Sequence, residues 1–140
     1  MHFSSAHFVV GADYSESLHG HNYKVELKLI GQLNEEGMVL DFRDVKKKVI
    51  KVCKELDHKV ILPSGSSRIY ISSMNGSIEV SVDDKHYVFP KADCVILPIK
   101  ATTTELLAEY VARQLSFPEE FRVKVCVSES SGSKGCYESR

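Results

Sequence analysis

Residues 20–32 read GHNYKVELKLIGQ, and the alternation of apolar and polar side chains in this stretch predicts a strand at the centre of the fold. One face carries the apolar side chains Tyr23, Val25, Leu27 and Leu29, and the other carries the charged side chains Lys24, Glu26 and Lys28. This pattern is typical of an antiparallel strand that faces a core on one side and water on the other. Residues 2–10 share the two-residue period, and the polar residues 11–19 between the two stretches predict a loop.

Two helices are predicted from the spacing of apolar residues farther along the chain. The first covers residues 42–56 and follows Asp41, a residue type that favours the N-cap position. The second covers about residues 103–116, and Thr102 and Glu105 match the S/T-x-x-E capping box at its start.

The other segments predict strands. Residues 64–92 are expected to form an inserted β-meander, because apolar runs flank Asn75-Gly76, a strong hairpin signal. Residues 93–97 and 121–129 are also predicted strands, and the Ser- and Gly-rich tail from residue 130 is expected to be loose at its end. Together the elements predict an α+β fold, an antiparallel sheet with two helices on one face.

The size and charge of the chain limit its function class. Its 140 residues are expected to form a single domain over 1–140. Eighteen Lys and Arg oppose nineteen Asp and Glu, a formal net charge of −1, so no overall field attracts nucleic acid or an anionic membrane. No apolar run is long enough for a bilayer, and the N-terminus lacks the features of a secretory signal. We therefore expect a cytoplasmic protein with neither nucleic acid nor membrane as a partner.

The four cysteines suggest no disulfide framework, because none forms a C-x-x-C pair and the chain is large enough to fold without staples. Cys53, Cys94 and Cys126 lie in apolar runs and are expected to be buried thiols. Cys136, next to a glycine, is expected to be exposed.

Three histidines form a candidate metal site. His19 and His21 are two residues apart, so on a strand they point the same way, and His7 lies on the preceding predicted strand. Antiparallel pairing of the two strands can bring all three imidazoles together. Three protein ligands with one open position are typical of catalytic zinc. A chance cluster of core or surface histidines is the alternative.

Asp57-His58 ends the first predicted helix. A histidine suits the negative end of a helix dipole, which explains the pair without a function. The alternative is an Asp-oriented histidine that transfers protons.

Six motifs follow one another along the chain: FSSAH (3–7), ESLHGHNY (16–23), VLDF (39–42), LDH (56–58), TTELLA (103–108) and VSE (127–129). In this order they resemble the 6-pyruvoyl-tetrahydropterin synthase family, which has the tunnelling fold. The resemblance covers nearly the whole chain except the meander.

The resemblance implies a role for each matching residue. His7, His19 and His21 correspond to the zinc ligands, and Asp57 and His58 to the catalytic Asp-His pair. Glu129 corresponds to the carboxylate that anchors the pterin ring, and Thr103 to a threonine near that ring. Family members assemble into trimers and stacked hexamers with sites between subunits, so a homo-oligomer is expected.

One residue departs from the typical pattern. Ser15 stands where typical members carry a catalytic cysteine, and no cysteine lies in residues 1–52. Glu16 instead gives E-x-x-H-G-H, which resembles the branch with glutamate in place of cysteine. This implies a zinc-dependent lyase that cleaves the side chain of 7,8-dihydroneopterin triphosphate to give 6-hydroxymethyl-7,8-dihydropterin, with Glu16 as the base.

Three alternatives remain at this point. The chain could be a 6-pyruvoyl-tetrahydropterin synthase that eliminates triphosphate, or a 6-carboxy-tetrahydropterin synthase. It could also be a non-catalytic pterin-binding protein that kept the pocket.

Overall fold

A computed structural model describes residues 1–139. Its elements, in chain order, are β1 (His2–His7), β2 (His19–Ile30), α1 (Phe42–Leu56), β3 (Lys59–Pro63), β4 (Tyr70–Met74), β5 (Ser77–Val82), β6 (Lys85–Pro90), β7 (Cys94–Leu97), α2 (Thr104–Leu115), β8 (Arg122–Ser130) and β9 (Ser133–Glu138). A single 3-10 turn, Lys91–Asp93, precedes β7. Across this described part of the chain, neither helix has the length and apolar character needed to cross a membrane.

The strands form two sheets. The larger has the order β7-β3-β1-β2-β8-β9, and the smaller is the meander β4-β5-β6. Strands β1, β2 and β8 pair antiparallel, as expected, and β9, which was not predicted, pairs antiparallel with β8. In contrast, β3 joins β1 in parallel and β7 joins β3 in parallel. The α+β class and the inserted meander are confirmed. Strand β3, which was not predicted, links the antiparallel part of the sheet to β7.

Both helices cover one face of the larger sheet. Helix α1 begins at its predicted cap, where the Asp41 carboxylate accepts a hydrogen bond from the amide of Arg43 at 2.8 Å. The main core joins apolar residues of both helices to those of β2 and β8, including Val52, Leu56, Leu107, Val111, Tyr23, Val25, Val125 and Val127. Full burial of one such side chain contributes roughly 1.5–3 kcal/mol, so this layer fixes the face on which the helices sit.

The predicted cap of α2 is wrong by one residue. Thr103 rather than Thr102 is the N-cap, and its hydroxyl accepts a hydrogen bond from the amide of Leu106 at 3.4 Å. Thr102 is fully buried and points into the protein. Three consecutive threonines, 102–104, stand at the start of the helix, and capping chemistry alone does not decide which of them takes the cap.

A second core holds the meander against the other face of β3. Alternate residues of a strand point to opposite faces, and Ile61 belongs to the main core whereas Leu62 belongs to the second. The second core also contains Ile78, Val80, Val82 and Phe8, with Val10 and Leu18 packed against it. The meander therefore supports the chain between β1 and β2.

The end of the chain differs from the prediction. The tail expected to be loose forms β9, which pairs with β8. A Cβ atom at Gly135 would lie 2.5 Å from the Glu105 amide nitrogen, so only glycine permits this approach of β9 to α2. Cys126 and Cys136 are directly opposite in the β8–β9 register, with Cα atoms 4.1 Å apart, and they form a disulfide. The expectation of free thiols is therefore wrong for this pair and holds for Cys53 and Cys94.

Candidate metal and substrate site

The register of β1 and β2 brings the three predicted histidines together. His7 lies opposite His19, and Ser5 lies opposite His21, so all three imidazoles project from the helix-covered face near the strand ends. Their ligand nitrogens all lie within 4.8 Å of one another. The three histidines therefore form one cluster, as the pairing of the two strands predicts.

His7 is fixed in a single tautomer by its surroundings. Its side chain is 1% exposed, and Nδ1 lies 3.1 Å from both the carbonyl oxygen and the hydroxyl of Thr102. The carbonyl can only accept, so Nδ1 carries the proton and Nε2 carries a lone pair. Burial, and then the neighbouring ring of His19, lower the pKa of His7 to about 4, which keeps the ring neutral.

An unpaired nitrogen of His7 indicates that these residues fit a metal ion. Its Nε2 atom is buried and has no hydrogen-bond partner among the described residues. A buried polar atom without a partner costs free energy, and a metal ion would accept its lone pair. In His19, Nδ1 lies 2.6 Å from the carbonyl of Ser17, which likewise leaves Nε2 free. The three imidazoles therefore fit a divalent ion that prefers nitrogen ligands.

Two carboxylates lie next to different histidines of this cluster. An oxygen of Glu129 is 3.6 Å from Nε2 of His21 and 3.8 Å from Nε2 of His7. An oxygen of Glu16 is 4.0 Å from Nε2 of His19 and accepts a hydrogen bond from the amide of Val9 at 2.8 Å. The loop between β1 and β2 thus orients the Glu16 carboxylate towards the cluster.

A cavity beside the histidines contains the two predicted substrate-binding residues. Thr103 and Glu129 both line it, with Val9, Thr104, Glu105, Gly132, Ser133 and Lys134, and its volume is about 360 Å³. Thr103 at the same time caps α2, so capping and a position at the cavity are compatible. Glu129 connects the cavity to the histidine cluster.

Asp57 and His58 are not part of this cluster within one chain. The Asp57 carboxylate accepts a hydrogen bond from the Ser4 amide at 2.7 Å and pairs with the His58 ring at 2.9 Å. These contacts, the first being the stronger, hold the pKa of Asp57 below its ordinary value. His58 has a positive φ of 58° and a side chain that is 83% exposed. Across residues 1–139, no hydrogen bond or ion pair connects it to the three histidines.

Thr102 is the site residue that sequence reasoning missed. Besides contacting His7, its hydroxyl donates a hydrogen bond to the Phe8 carbonyl at 3.1 Å. It therefore joins the start of α2 to the end of β1 and orients the buried histidine. The run of three threonines at 102–104 was a signal for it in the sequence. One threonine caps α2 and one begins the helix, which leaves a third for another role.

Known proteins resemble this chain over part or nearly all of its length. It is 36% identical to a protein of Methanocaldococcus jannaschii named putative 6-carboxy-5,6,7,8-tetrahydropterin synthase, over 98% of this chain and 89% of that protein. A shorter match, 42% identical over 41% of this chain and 48% of the other, is to the dihydroneopterin monophosphate aldolase of Pyrococcus furiosus.

Solved structures also match nearly the whole chain. The 6-pyruvoyl tetrahydropterin synthase of Plasmodium vivax superposes with a TM-score of 0.93 at 39% identity, covering 99% of this chain and 91% of that one. Two further structures of the Plasmodium vivax protein, at TM-score 0.91, are described as mutants of a catalytic residue in which glutamate is replaced by alanine or by cysteine. Residues 1–139 match the family described as 6-pyruvoyl tetrahydropterin synthase, and this chain belongs to that family.

Proposed function

We propose that the protein is a zinc-dependent lyase that cleaves the C1′–C2′ bond in the side chain of 7,8-dihydroneopterin triphosphate. The products are 6-hydroxymethyl-7,8-dihydropterin and a two-carbon aldehyde that carries the triphosphate. The main support for this proposal is that Glu129 and Glu16 lie beside different histidines of one cluster. Only Glu129 also lines the adjacent cavity. One carboxylate is thus available to bind the ring of the substrate and the other to accept a proton from its side chain.

The ring is assigned to the cavity next to α2. A carboxylate can accept two hydrogen bonds from the 2-amino-pyrimidinone edge of a pterin, and Glu129 is the carboxylate that lies between the cavity and the histidines. Thr103 lines the same cavity. Binding the ring there directs the side chain of the substrate towards the histidines, and this orientation lowers the barrier to reaction.

The metal is assigned to His7, His19 and His21. Zinc bound there would supply Lewis acidity towards the hydroxyl groups of the substrate side chain. The protein contributes three imidazoles, at least two of them held by Nδ1 hydrogen bonds to backbone carbonyls.

Glu16 is proposed as the general base. Its carboxylate is already oriented by the Val9 amide and can take a proton at neutral pH without another activating group. The catalytic glutamate described for the Plasmodium vivax protein supports a glutamate in this role. The name of the Pyrococcus furiosus relative supports side-chain cleavage as the reaction.

Asp57 and His58 are proposed to relay protons at the site of a neighbouring copy. The pair is hydrogen-bonded internally and anchored to Ser4, while the His58 ring is exposed. This arrangement fits a group presented to another subunit. We therefore propose a homo-oligomer, a trimer or a hexamer of stacked trimers, with sites between subunits.

The second candidate is 6-carboxy-tetrahydropterin synthase activity, favoured by the name of the Methanocaldococcus jannaschii relative. The lack of a cysteine in residues 1–52 argues against it, as it does against triphosphate elimination by a 6-pyruvoyl synthase. A non-catalytic pterin-binding protein is the third possibility, and it would form no product.

Product analysis tests these possibilities directly. Zinc-loaded protein is incubated with 7,8-dihydroneopterin triphosphate, and the product is identified by mass. We expect 6-hydroxymethyl-7,8-dihydropterin from the wild type, and none from Glu16→Ala, which should still bind zinc and pterin. Glu16→Cys should recover some 6-pyruvoyl product if the base alone selects the reaction. Full activity of Glu16→Ala would remove Glu16 as the base.

A further inference from the structure

The loop that carries Glu16 is attached to the meander by two cationic side chains. Arg68, which precedes β4, donates a hydrogen bond to the Gly11 carbonyl and a longer one, of 3.4 Å, to the Ala12 carbonyl. Its other terminal nitrogen lies 3.0 Å from both carboxylate oxygens of Asp83, in the β5–β6 turn. Arg68 therefore joins the first half of the loop to the turn.

Lys85 holds the second half of the same loop. Its ammonium donates hydrogen bonds to the carbonyls of Ser15 and Glu16, at 3.4 and 3.2 Å. Lys85 is the first residue of β6, two positions after Asp83. One turn of the meander thus contacts both ends of the loop, through Arg68 at one end and Lys85 at the other.

The loop itself is folded into a short hairpin between these attachments. The amide of Glu16 donates to the Val9 carbonyl at 2.9 Å, and the amide of Gly11 donates to the Tyr14 carbonyl at the same distance. The flanking residues Phe8 and Leu18 pack on the core of the meander. The position of the Glu16 carboxylate therefore depends on the meander as well as on β1 and β2.

We propose that Lys85 and Arg68 are positioning residues that fix the Glu16 carboxylate beside the histidine cluster, and that this is the function of the inserted meander. This proposal rests on Glu16 being the base of the proposed reaction. Neither side chain contacts the cavity that contains Glu129 and Thr103. Lys85 and Arg68 therefore affect the position of the Glu16 carboxylate and not the binding of the ring. A displacement of about 1 Å at a reacting group can lower the rate roughly 100-fold.

Lys85→Met tests the proposal because it removes the ammonium and keeps an apolar stem of similar length. We expect kcat for dihydroneopterin triphosphate to fall roughly 10- to 100-fold while KM and zinc content stay within twofold of wild type. Lys85→Arg, which can still donate to both carbonyls, should restore most of kcat. The matched control is Lys91→Met, an exposed lysine of the 3-10 turn whose ammonium makes no hydrogen bond within residues 1–139.

Hydrogen exchange provides a measurement that does not depend on the reaction. In Lys85→Met, the amides of Glu16 and Gly11 should exchange at least about 10-fold faster than in wild type, while amides of β2 keep their rates. If Lys85→Met does not fold, Asp83→Asn, which weakens the pairing with Arg68, should give the same changes at smaller size.

The possible outcomes separate this proposal from the proposed function. A wild type that forms no product would contradict the proposed function, and hydrogen exchange would still decide whether the meander holds the loop. An active wild type with Lys85→Met equal to Lys91→Met in both kcat and exchange would overturn the attachment itself. Faster exchange with unchanged kcat would show that the attachment does not position the base.

Discussion

His7 and His19 lie directly opposite each other on neighbouring strands, yet they occupy different environments. His7 is 1% exposed and contacts Thr102 from α2, whereas His19 is 38% exposed and its ring bonds to Ser17, in the loop before its own strand. The site therefore has a buried half, formed by His7 and Thr102, and an exposed half, formed by His19 and Glu16.

The two halves are held in place by different parts of the fold. The main sheet and α2 position the buried half, and the same contacts contribute to the stability of the fold. The exposed half depends more on the loop that rests on the meander: Glu16 lies in that loop, and the ring of His19, the first residue of β2, bonds to Ser17 of the same loop. Changes in the buried half should therefore affect both stability and function, whereas changes in the exposed half should affect function alone.

Removal of a histidine ligand should have the largest effect. In His19→Ala and in His7→Ala, zinc affinity should fall by well over the roughly 100-fold that loss of an outer-shell partner typically costs. Only His7→Ala should also destabilise the metal-free protein, by about 1–3 kcal/mol, because it leaves the Thr102 carbonyl unpaired in the core. Zinc titration and denaturant unfolding of both variants measure these effects.

His2→Ala is the matched control, because His2 is an exposed histidine on β1 outside the cluster. It should retain wild-type zinc affinity and stability. Equal destabilisation by His7→Ala and His19→Ala would contradict the division into two halves, and normal zinc binding by His19→Ala would exclude His19 as a ligand.

The buried half should also make the metal-free protein sensitive to acid. The pKa of His7 is about 4 in the folded protein and near 6.5 in the unfolded chain, so between these values the unfolded chain binds more protons. The stability due to neutral His7 is present above pH 6.5 and is lost as the pH falls towards 4. The loss amounts to at most about 3 kcal/mol, from 1.36 kcal/mol per pKa unit.

Unfolding by denaturant at several pH values, in the presence of a chelator, measures this dependence. His7→Gln should have a flatter profile between pH 4 and 6.5, and His19→Gln, which removes the ring that helps to lower the pKa of His7, should lie between His7→Gln and the wild type. Parallel profiles for wild type and His7→Gln would show that His7 does not titrate in this way.

The histidine cluster could be predicted from the sequence because it depends on strand geometry alone. The two-residue period places His19 and His21 on one face, and antiparallel pairing of consecutive strands places His7 opposite. The α1 cap at Asp41 and the Asn75-Gly76 hairpin were also predictable, because residues close together in the sequence determine both.

Features that depend on contacts distant in sequence could not be predicted. Whether Thr102 or Thr103 caps α2 is decided by the contact of Thr102 with His7, 95 residues away. The Cys126–Cys136 disulfide requires β9, which has too little alternation to predict a strand. The support of the Glu16 loop by Lys85, 69 residues later, has no local signal at all.

Loss of the ring anchor should have a smaller effect than loss of a zinc ligand. Glu129→Gln keeps the shape of the side chain but replaces one acceptor oxygen with a donor, which would face an N–H group of the pterin. An unpaired buried donor costs about 1–3 kcal/mol, so pterin affinity should fall roughly 5- to 150-fold with zinc still bound. Glu105→Gln, at the same cavity, is the control. Normal pterin binding by Glu129→Gln would place the anchor at another residue.

The smallest expected effect is that of Thr102→Val, which separates the two functions of the buried half. Valine has nearly the same shape as threonine and keeps the backbone carbonyl that accepts from His7, so the tautomer of His7 should persist. The variant loses only the hydroxyl, and with it the hydrogen bond to the Phe8 carbonyl and the contact with Nδ1 of His7. Stability should fall by about 1 kcal/mol, and zinc affinity by at most roughly 10-fold.

Thr103→Val provides the comparison, because it removes the hydroxyl that caps α2 and leaves His7 untouched. It should lose about 1 kcal/mol of stability with unchanged zinc affinity. Calorimetric zinc titration of the two variants distinguishes an orienting residue from a cap. Equal zinc affinity in both would show that the Thr102 carbonyl alone orients His7, and that the buried half owes its geometry to the backbone at the start of α2.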